Sequence, residues 1–531
     1  MKENVSSRYD VIIVGGGCSG LSAAYQIKKQ KEDARVLILE AKDRLGGRVC
    51  GSYLHTLHDK DAWDVGGQWI ASSQPNVTKL IKELGLEPYP QDVSGRKILK
   101  LGESDAIYYN NTQTYGLSLF GALDVFNGLS KIESYCAAVP IDDPLKCQFA
   151  EEWDAKTVSE AMDSIFWTNE GKQMLSIAIH VVFGAEASQI SFLYFLHFCQ
   201  KSGGCIQIID TEQKGYAQEW KVKGGTFRIV EFLADVIGHE NIKLSSPVDC
   251  ISQDDSSVTV RLLSGDEFVG ARAIIAIPPI YKAKIHYSPP LPDSHRLLYE
   301  RMPVGHLTKA IVTYPKRFWK EQGLSGEAAH WPFYNGAEGY PVCLTFDATS
   351  CNGSPALVLF IGGKRALDLG KMRYCDQRQN IINSLKLLFG SSADNPIDVK
   401  IKEWSKEPWN GGCPVSIMAP GALTNYGCSA LKEPFYRLHW AGTEAADCWV
   451  GYIDGAVQSG IRAANEVLCQ VLPQFSDSTD VSSYEKVFEQ QKTTFARDRE
   501  SKKMWNKLLL LSGTILLVTA LITNRHKLPW K

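Results

Sequence analysis

RYDVIIVGGGCSG (residues 8–20) and LILEAKDRLGGR (residues 37–48) decide how this chain folds. Residues 11–14 are an unbroken apolar run of β-branched side chains, which suits a parallel strand buried on both faces. Gly15, Gly17 and Gly20 follow as Gly-x-Gly-x-x-Gly, and Leu21, Ala23, Ala24 and Ile27 then keep the spacing of an amphipathic helix. In such a turn the first glycine permits the tight bend and the second lets backbone approach a pyrophosphate. The third lets helix pack on strand. A second apolar run, 36–39, ends in Glu40, twenty residues after Gly20, where a carboxylate can hold an adenine-linked ribose. Strand, glycine turn, helix and acid together predict a dinucleotide-binding unit; a lone glycine triplet would not.

The residues after Glu40 narrow the dinucleotide. Arg44, Gly46, Gly47 and Arg48 add a second backbone turn of close approach and a fixed positive charge beside the same phosphates. Nicotinamide enzymes have no need of it. In this the stretch resembles the two-glycine-motif FAD enzymes, and within them the flavin amine oxidases.

The 531 residues leave room for more than one domain and a large core. Fifty-seven Lys and Arg against 59 Asp and Glu give a formal charge of −2, with no basic excess to suggest nucleic acid. Fourteen cysteines are scattered without a Cys-x-x-Cys pair, which fits buried reduced thiols better than a disulfide framework. The first residues, MKENVSS, lack the apolar core of a signal peptide. His55 and His58 stand near two acids in a stretch without other ligands, so a solvated loop is expected there and no metal.

Along the chain, Gly66, Gly67, Gln68 and Trp69 again bring backbone close to something flat. Residues 94–219 turn helical, with amphipathic runs such as 158–165 and 190–198, and read as a domain inserted over the nucleotide fold. Residues 257–269 read as a hairpin leading to the apolar strand 273–277, closed by prolines. Residues 307–314 are a strand whose alternation puts Lys309 on the face of Leu307 and Ile311. Two readings stay open for it: a stem along the edge with its amine in water, or an amine at a buried polar centre. Residues 439–452 open as a strand, turn at Gly442 and lead into a helix from about Gly451.

These later motifs resemble the animal monoamine oxidases, from about Tyr9 to Leu468. The resemblance is carried by Ala-Gly-Thr-Glu at 441–444, Trp449, Gly451, Tyr452, Ala-Glu-Glu-Trp-Asp at 150–154, Gly203 and Gly204 before Ile208 and Ile209, Gly305 with Lys309, and Trp404 before Gly-Gly-Cys413. It implies an α/β fold: a Rossmann-like FAD domain (1–93, 220–300, 401–470) with an inserted α+β substrate domain (94–219, 301–400). It also implies FAD held at Gly15, Gly17, Gly20, Glu40, Lys42, Arg48, Gly67, Gln68, Val248, Trp404, Gly442, Thr443 and Ile453. A thioether to the flavin is implied at Cys413; a cysteine is also a small buried hydrophobe, but Gly-Gly-Cys with Pro420 and Gly421 beyond favours attachment. Lys309 is implied to hold a water at the flavin's reactive nitrogen and Tyr452 to form one wall of an aromatic slot, with Trp69, Ile209, Gln218 and Phe360 as further pocket walls. The sequence departs from the family twice. Pro414 stands where the monoamine oxidases have the slot's second aromatic wall, a tyrosine, and Trp69 stands where tyrosine is common.

The expected activity is oxidative deamination of primary or arylalkyl (biogenic) amines by dioxygen, giving aldehyde, ammonia and hydrogen peroxide. A carboxylate-bearing substrate would call for a pocket arginine and a polyamine for acids, and none of the matched positions is either. The alternatives are a polyamine or amino-acid oxidase of the same family, or a catalytically weak flavin-binding membrane protein, with Pro414 as its sign; a homodimer is left open. At the C-terminus, residues 508–523 carry no charge, span about 24 Å as a helix, and are bracketed by Trp505, Lys507, Arg525, Lys527 and Trp530. After the linker 471–504, residues 505–524 read as a transmembrane tail anchor with everything upstream in the cytosol. The short span favours a thin membrane, with the mitochondrial outer membrane ahead of the endoplasmic reticulum. Deleting residues 505–531 is expected to move the protein from the membrane pellet to the supernatant of a sedimentation assay.

Overall fold

At the centre of the first sheet, Tyr9–Val14 lies between Val36–Leu39 and Glu267–Ile275 and runs parallel to both. The computed structural model describes residues 8–110, 116–331 and 339–471. Residues 11–14 and 36–39 are buried throughout, as their unbroken apolar runs require. Ile242–Lys243 extends the parallel run past Val36–Leu39, and Leu438–Trp440 pairs in parallel with the end of Glu267–Ile275. The other half of Glu267–Ile275 forms the expected hairpin with Val258–Leu262, followed by Val248–Gln253 and His286–Ser288 at the edge.

Helix Cys18–Gln30 leaves the glycine turn and packs on the helix Ile453–Val471, from more than four hundred residues away. The Ser19 and Ser459 hydroxyls are 3.0 Å apart, and Gln26 donates to Asn465 at 3.1 Å. Gly460 lies in this contact; a Cβ there would stand 2.2 Å from the Ser19 carbonyl oxygen. The two ends of the described chain thus close the nucleotide unit together.

The second sheet has seven strands in the order Asp398–Glu403, Leu307–Thr313, Ala356–Gly362, Leu344–Asp347, Leu324–Trp331, Arg96–Leu101 and Ile107–Tyr109. Strand alternation divides its faces. Leu357, Leu359 and Ile361 pack with Ala310, Val312, Trp319 and Leu385 on one side. Val358 and Phe360 pack with Leu307, Ile311, Trp404 and Cys413 on the other. Lys309 has the parity of Leu307 and Ile311, so it belongs to the second face.

The start of the region expected to be helical, 94–219, differs. Arg96–Leu101 and Ile107–Tyr109 are strands, and helices follow from Leu119–Ala138. Lys97 conceals the first strand from a hydropathy reading. It is 5% exposed, with its ammonium 3.1 Å from both the Glu212 and the Glu327 carboxylates, so a charged residue occupies a core position. Helix Val158–Ile165 forms as the periodicity requires, closed at its start by the reciprocal Thr157–Glu160 capping box.

Among the described residues no helix is long and apolar enough to cross a membrane. The linker from 472 and the tail 505–524 lie outside the described residues. Because the Gly460 contact is backbone against backbone, Gly460→Ala is expected to cost about 1–3 kcal/mol, measured as a lower midpoint in denaturant unfolding.

Candidate active site

The glycine turn is built by close contacts that only glycine tolerates. Gly15 has φ +110, and a Cβ there would meet the Ala276 carbonyl oxygen at 2.7 Å; one on Gly20 would meet the Gly15 oxygen at 2.0 Å. Gly46 pairs with the turn, its N–H donating to the Gly16 carbonyl at 2.9 Å. The Glu40 carboxylate accepts from Gly16 N at 2.6 Å and from Lys42 N at 3.0 Å. Burial raises its pKa against those two bonds. Lys42 presents only its backbone to this turn, since its ammonium is 2.9 Å from Glu407.

Arg48 is less free than a phosphate clamp would be. Its guanidinium donates to both carboxylate oxygens of Glu444, at 2.6 and 3.0 Å, and to the Pro414 carbonyl at 3.0 Å. Burial would raise the Glu444 carboxyl, but Arg48 overrides it and brings the group down to about 2. Ser416 adds two donors to the same carboxylate, so one ion pair joins the second glycine turn, the Cys413 loop and the turn at Gly442. Sequence reasoning quoted Glu444 only as part of a motif. Its partner lies 396 residues away, and no local signal links them.

Cys413 is 7% exposed and follows two glycines of positive φ. A Cβ on Gly412 would meet the Gly305 oxygen at 2.1 Å, which also accepts from Cys413 N at 2.9 Å. The Cys413–Pro414 peptide bond is cis. Burial pushes the thiol up to about 12, opposed by the charges of Arg48 and Lys309.

Lys309 resolves its two readings in favour of the buried amine. It is 2% exposed, and its Nζ donates to Gly66 O at 2.8 Å and Gln68 Oε1 at 2.5 Å, 5.6 Å from the centre of the Phe360 ring. Burial pulls it down to about 7, held up in part by Asp64. Asp64 itself accepts from the Thr226 N–H and hydroxyl, both at 2.9 Å. The Gln68 amide nitrogen is buried without a partner. Trp404 donates to Val65 O at 2.9 Å and packs as a wall in the cluster that holds Phe360 and Cys413.

One cavity of about 290 Å³ joins much of what the sequence singled out. Gly15, Gly17, Glu40, Arg48, Gly67 and Val248 line it together with Cys413, Pro414, Gly442, Thr443, Tyr452 and Ile453. Gly20, Lys42, Gln68, Lys309 and Trp404 are not among its lining residues, and neither are the expected pocket walls Trp69, Ile209, Gln218 and Phe360. The Thr443 hydroxyl takes a bond from Gly451 N at 2.7 Å and gives one to Tyr452 O at 3.0 Å, which fixes the Tyr452 backbone. The Tyr452 ring stands edge-on to Trp449 at 5.0 Å, and burial raises its hydroxyl pKa. Trp69 packs on Phe346 and Phe360, at 5.0 and 5.7 Å, with its N–H on Gln91. Gln218 donates to Ile208 O at 3.0 Å, beside Ile209.

The cavity suits a dinucleotide. A Cβ on Gly17, Gly47, Gly67 or Gly442 would find its nearest protein atom 3.6–3.9 Å away, so a methyl at any of these cavity-lining positions would fill the cavity rather than strike the fold. Asn410, unremarked in the sequence, lines the same space with a buried amide nitrogen that has no partner.

The family profile of the flavin containing amine oxidoreductases matches residues 18–468. The chain is 34% identical over 484 residues to amine oxidase [flavin-containing] B of Rattus norvegicus, covering 87% of each chain. It is 32% identical over 464 residues to amine oxidase [flavin-containing] A of Equus caballus, covering 87% of this chain and 85% of that one. Among solved structures, cyclohexylamine oxidase from Brevibacterium oxydans IH-35A superposes with a TM-score of 0.80 at 29% identity, covering 87% of this chain and 99% of that one. A putrescine oxidase with bound putrescine, 22% identical with a TM-score of 0.79, has the same fold. With a glycine turn, Cys413 and Tyr452 lining one cavity, and with a family match over most of its length, the chain belongs to the flavin-containing amine oxidases.

Proposed function

We propose that the enzyme oxidatively deaminates primary or arylalkyl amines with dioxygen, yielding aldehyde, ammonia and hydrogen peroxide, and that Cys413 carries its FAD as a thioether. The observation that carries this reading is the single cavity running from the glycine turn to Cys413 and Tyr452, with Lys309 buried beside it. When bound, the flavin supplies the two-electron acceptor for the amine's carbon–hydrogen bond and passes the electrons to dioxygen. The chain's own residues orient and exclude. Tyr452 offers the cavity a flat wall to an uncharged amine, Trp69 and Phe360 pack on each other outside that lining, and none of these three is an acid or an arginine. That favours monoamines over polyamines and amino acids.

Lys309 is held by Gly66 and Gln68 so that its remaining valence is free for a water, and its depressed pKa lets it exchange a proton near neutral pH. Pro414 supports one further reading, a flavin-binding protein of low turnover, because it removes an aromatic wall at the position where it lines the cavity. The uncharged stretch 508–523, outside the described residues, supports a tail anchor in the mitochondrial outer membrane, with the endoplasmic reticulum as second choice.

Acid denaturation separates these readings. Yellow flavin is expected to stay with the native polypeptide and to be released from Cys413→Ala; release from both would make Cys413 a packing residue. Amine added without oxygen is expected to bleach the flavin, and absence of bleaching would favour the low-turnover reading. Lys309→Met is expected to keep its flavin yet lose about 10²-fold in turnover. The wild-type pH profile is expected to show an inflection near 7, where Nζ passes from ammonium below to amine above, and the variant should lack it.

A further inference from the structure

Apart from the flavin cavity, three polar side chains, of Arg365, His180 and Glu186, cluster by Cys343, just before the strand Leu344–Asp347. The Cys343 N–H donates to Phe360 O and its carbonyl accepts from His330 N, which places the residue between two strands of the second sheet. Its side chain is fully buried. Arg365 Nη1 donates to the sulfur at 3.4 Å, His180 Nδ1 lies 4.0 Å from it, and His180 Nε2 is 2.8 Å from Glu186 Oε2. Glu186 also accepts from Lys364 N at 3.0 Å, and its side chain is 37% exposed. A chain of polar groups therefore runs from an enclosed sulfur to a carboxylate at the surface.

Arg365 decides the charge on that sulfur. Its guanidinium is 2% exposed, stacked 4.3 Å over Trp331, with Nη2 lacking any partner. Among the described residues no carboxylate lies within ion-pair distance of it, and its hydrogen-bond partner is the Cys343 sulfur. A guanidinium stays charged in proteins, and burying it without a counter-charge is costly. A thiolate supplies that counter-charge. The competing arrangement, a neutral thiol donating to Pro341 O, has a long 3.8 Å contact and leaves Arg365 with only the Glu186 carboxylate, beyond ion-pair distance, to offset its charge. Sulfur, imidazole and carboxylate also stand in the order of an activated nucleophile, base and orienting group.

We propose that Cys343 is a thiolate in a buried Cys343–His180–Glu186 chain braced by Arg365, and that it is a modification site for hydroperoxides. The sulfur attacks one peroxide oxygen: the S–O bond forms, the O–O bond breaks, and the sulfur is oxidised by two electrons to a sulfenic acid as the peroxide is reduced. The departing hydroxide takes the His180 imidazolium proton and leaves as water. The titration behaviour agrees, for although burial pushes the thiol up, Arg365 and His180 outweigh it and bring Cys343 down to about 7, while Cys343 and Glu186 hold His180 up at about 9. The proposal rests on the oxidase reading only for an internal source of peroxide, so the test supplies peroxide from outside.

The purified, flavin-loaded full-length protein is treated at pH 7 with limiting hydrogen peroxide, trapped with dimedone and mapped by mass spectrometry. Cys343 is expected to be labelled ahead of Cys351 and Cys375 although they are exposed and it is not, and His180→Asn is expected to remove that advantage. The ultraviolet thiolate absorption of the wild type is expected to fall in Cys343→Ser. Labelling of Cys351 and Cys375 with Cys343 unmodified, or no difference in thiolate absorption, would overturn the proposal. Peroxide release on adding amine is assayed separately, and its absence counts against the oxidase reading alone.

Discussion

The Arg48–Glu444 pair is the constraint on which the rest of the site depends. Glu444 is 5% exposed, so its charge is stable only because the guanidinium meets both oxygens and Ser416 adds two more donors. Breaking such a pair from one side leaves a buried uncompensated charge, at a cost of about 3–5 kcal/mol. What it holds are three segments far apart in sequence: the second glycine turn, the loop bearing Cys413, and the turn from Gly442 that positions Tyr452 through Thr443. The Cys413 and Tyr452 sides of the cavity are tied together through this contact.

A second constraint comes from strand parity. One face of the seven-stranded sheet is an ordinary apolar core around Trp319 and Leu385; the other carries Phe360, Trp404 and Cys413. Lys309 is on the latter face because it sits two residues from both Leu307 and Ile311. Placing an amine there draws its pKa toward neutrality, which an amine at the sheet edge would escape. Cys343 lies at the border of the same sheet, and its buried cluster shows that charge is set into this domain more than once.

Much of the nucleotide unit was legible in advance. The runs at 11–14 and 36–39, the three glycines and Glu40 are local features, each with one conformation that satisfies it, and the parallel strands and opening helix follow from them. The strands Arg96–Leu101 and Ile107–Tyr109 were not legible, because Lys97 is neutralised by Glu212 and Glu327 from distant parts of the chain. A residue type that reports exposure in most settings was misleading there. Asn410 was overlooked for a related reason: an asparagine carries no pattern, and only the cavity around it shows that its amide lacks a partner.

By itself the sequence determined the local chemistry: where backbone bends tightly, where a carboxylate follows a strand, and which strand bears a lysine. Those properties depend on neighbours a few residues apart, through φ, periodicity and side-chain type. Only the tertiary structure decided which charges cancel. Arg48 is matched by Glu444, Lys42 by Glu407 and Lys97 by two glutamates, whereas Arg365 finds a cysteine sulfur. Pairings of this kind join residues far apart in the chain, and their strength depends on burial, a quantity that exists only once the chain has closed on itself.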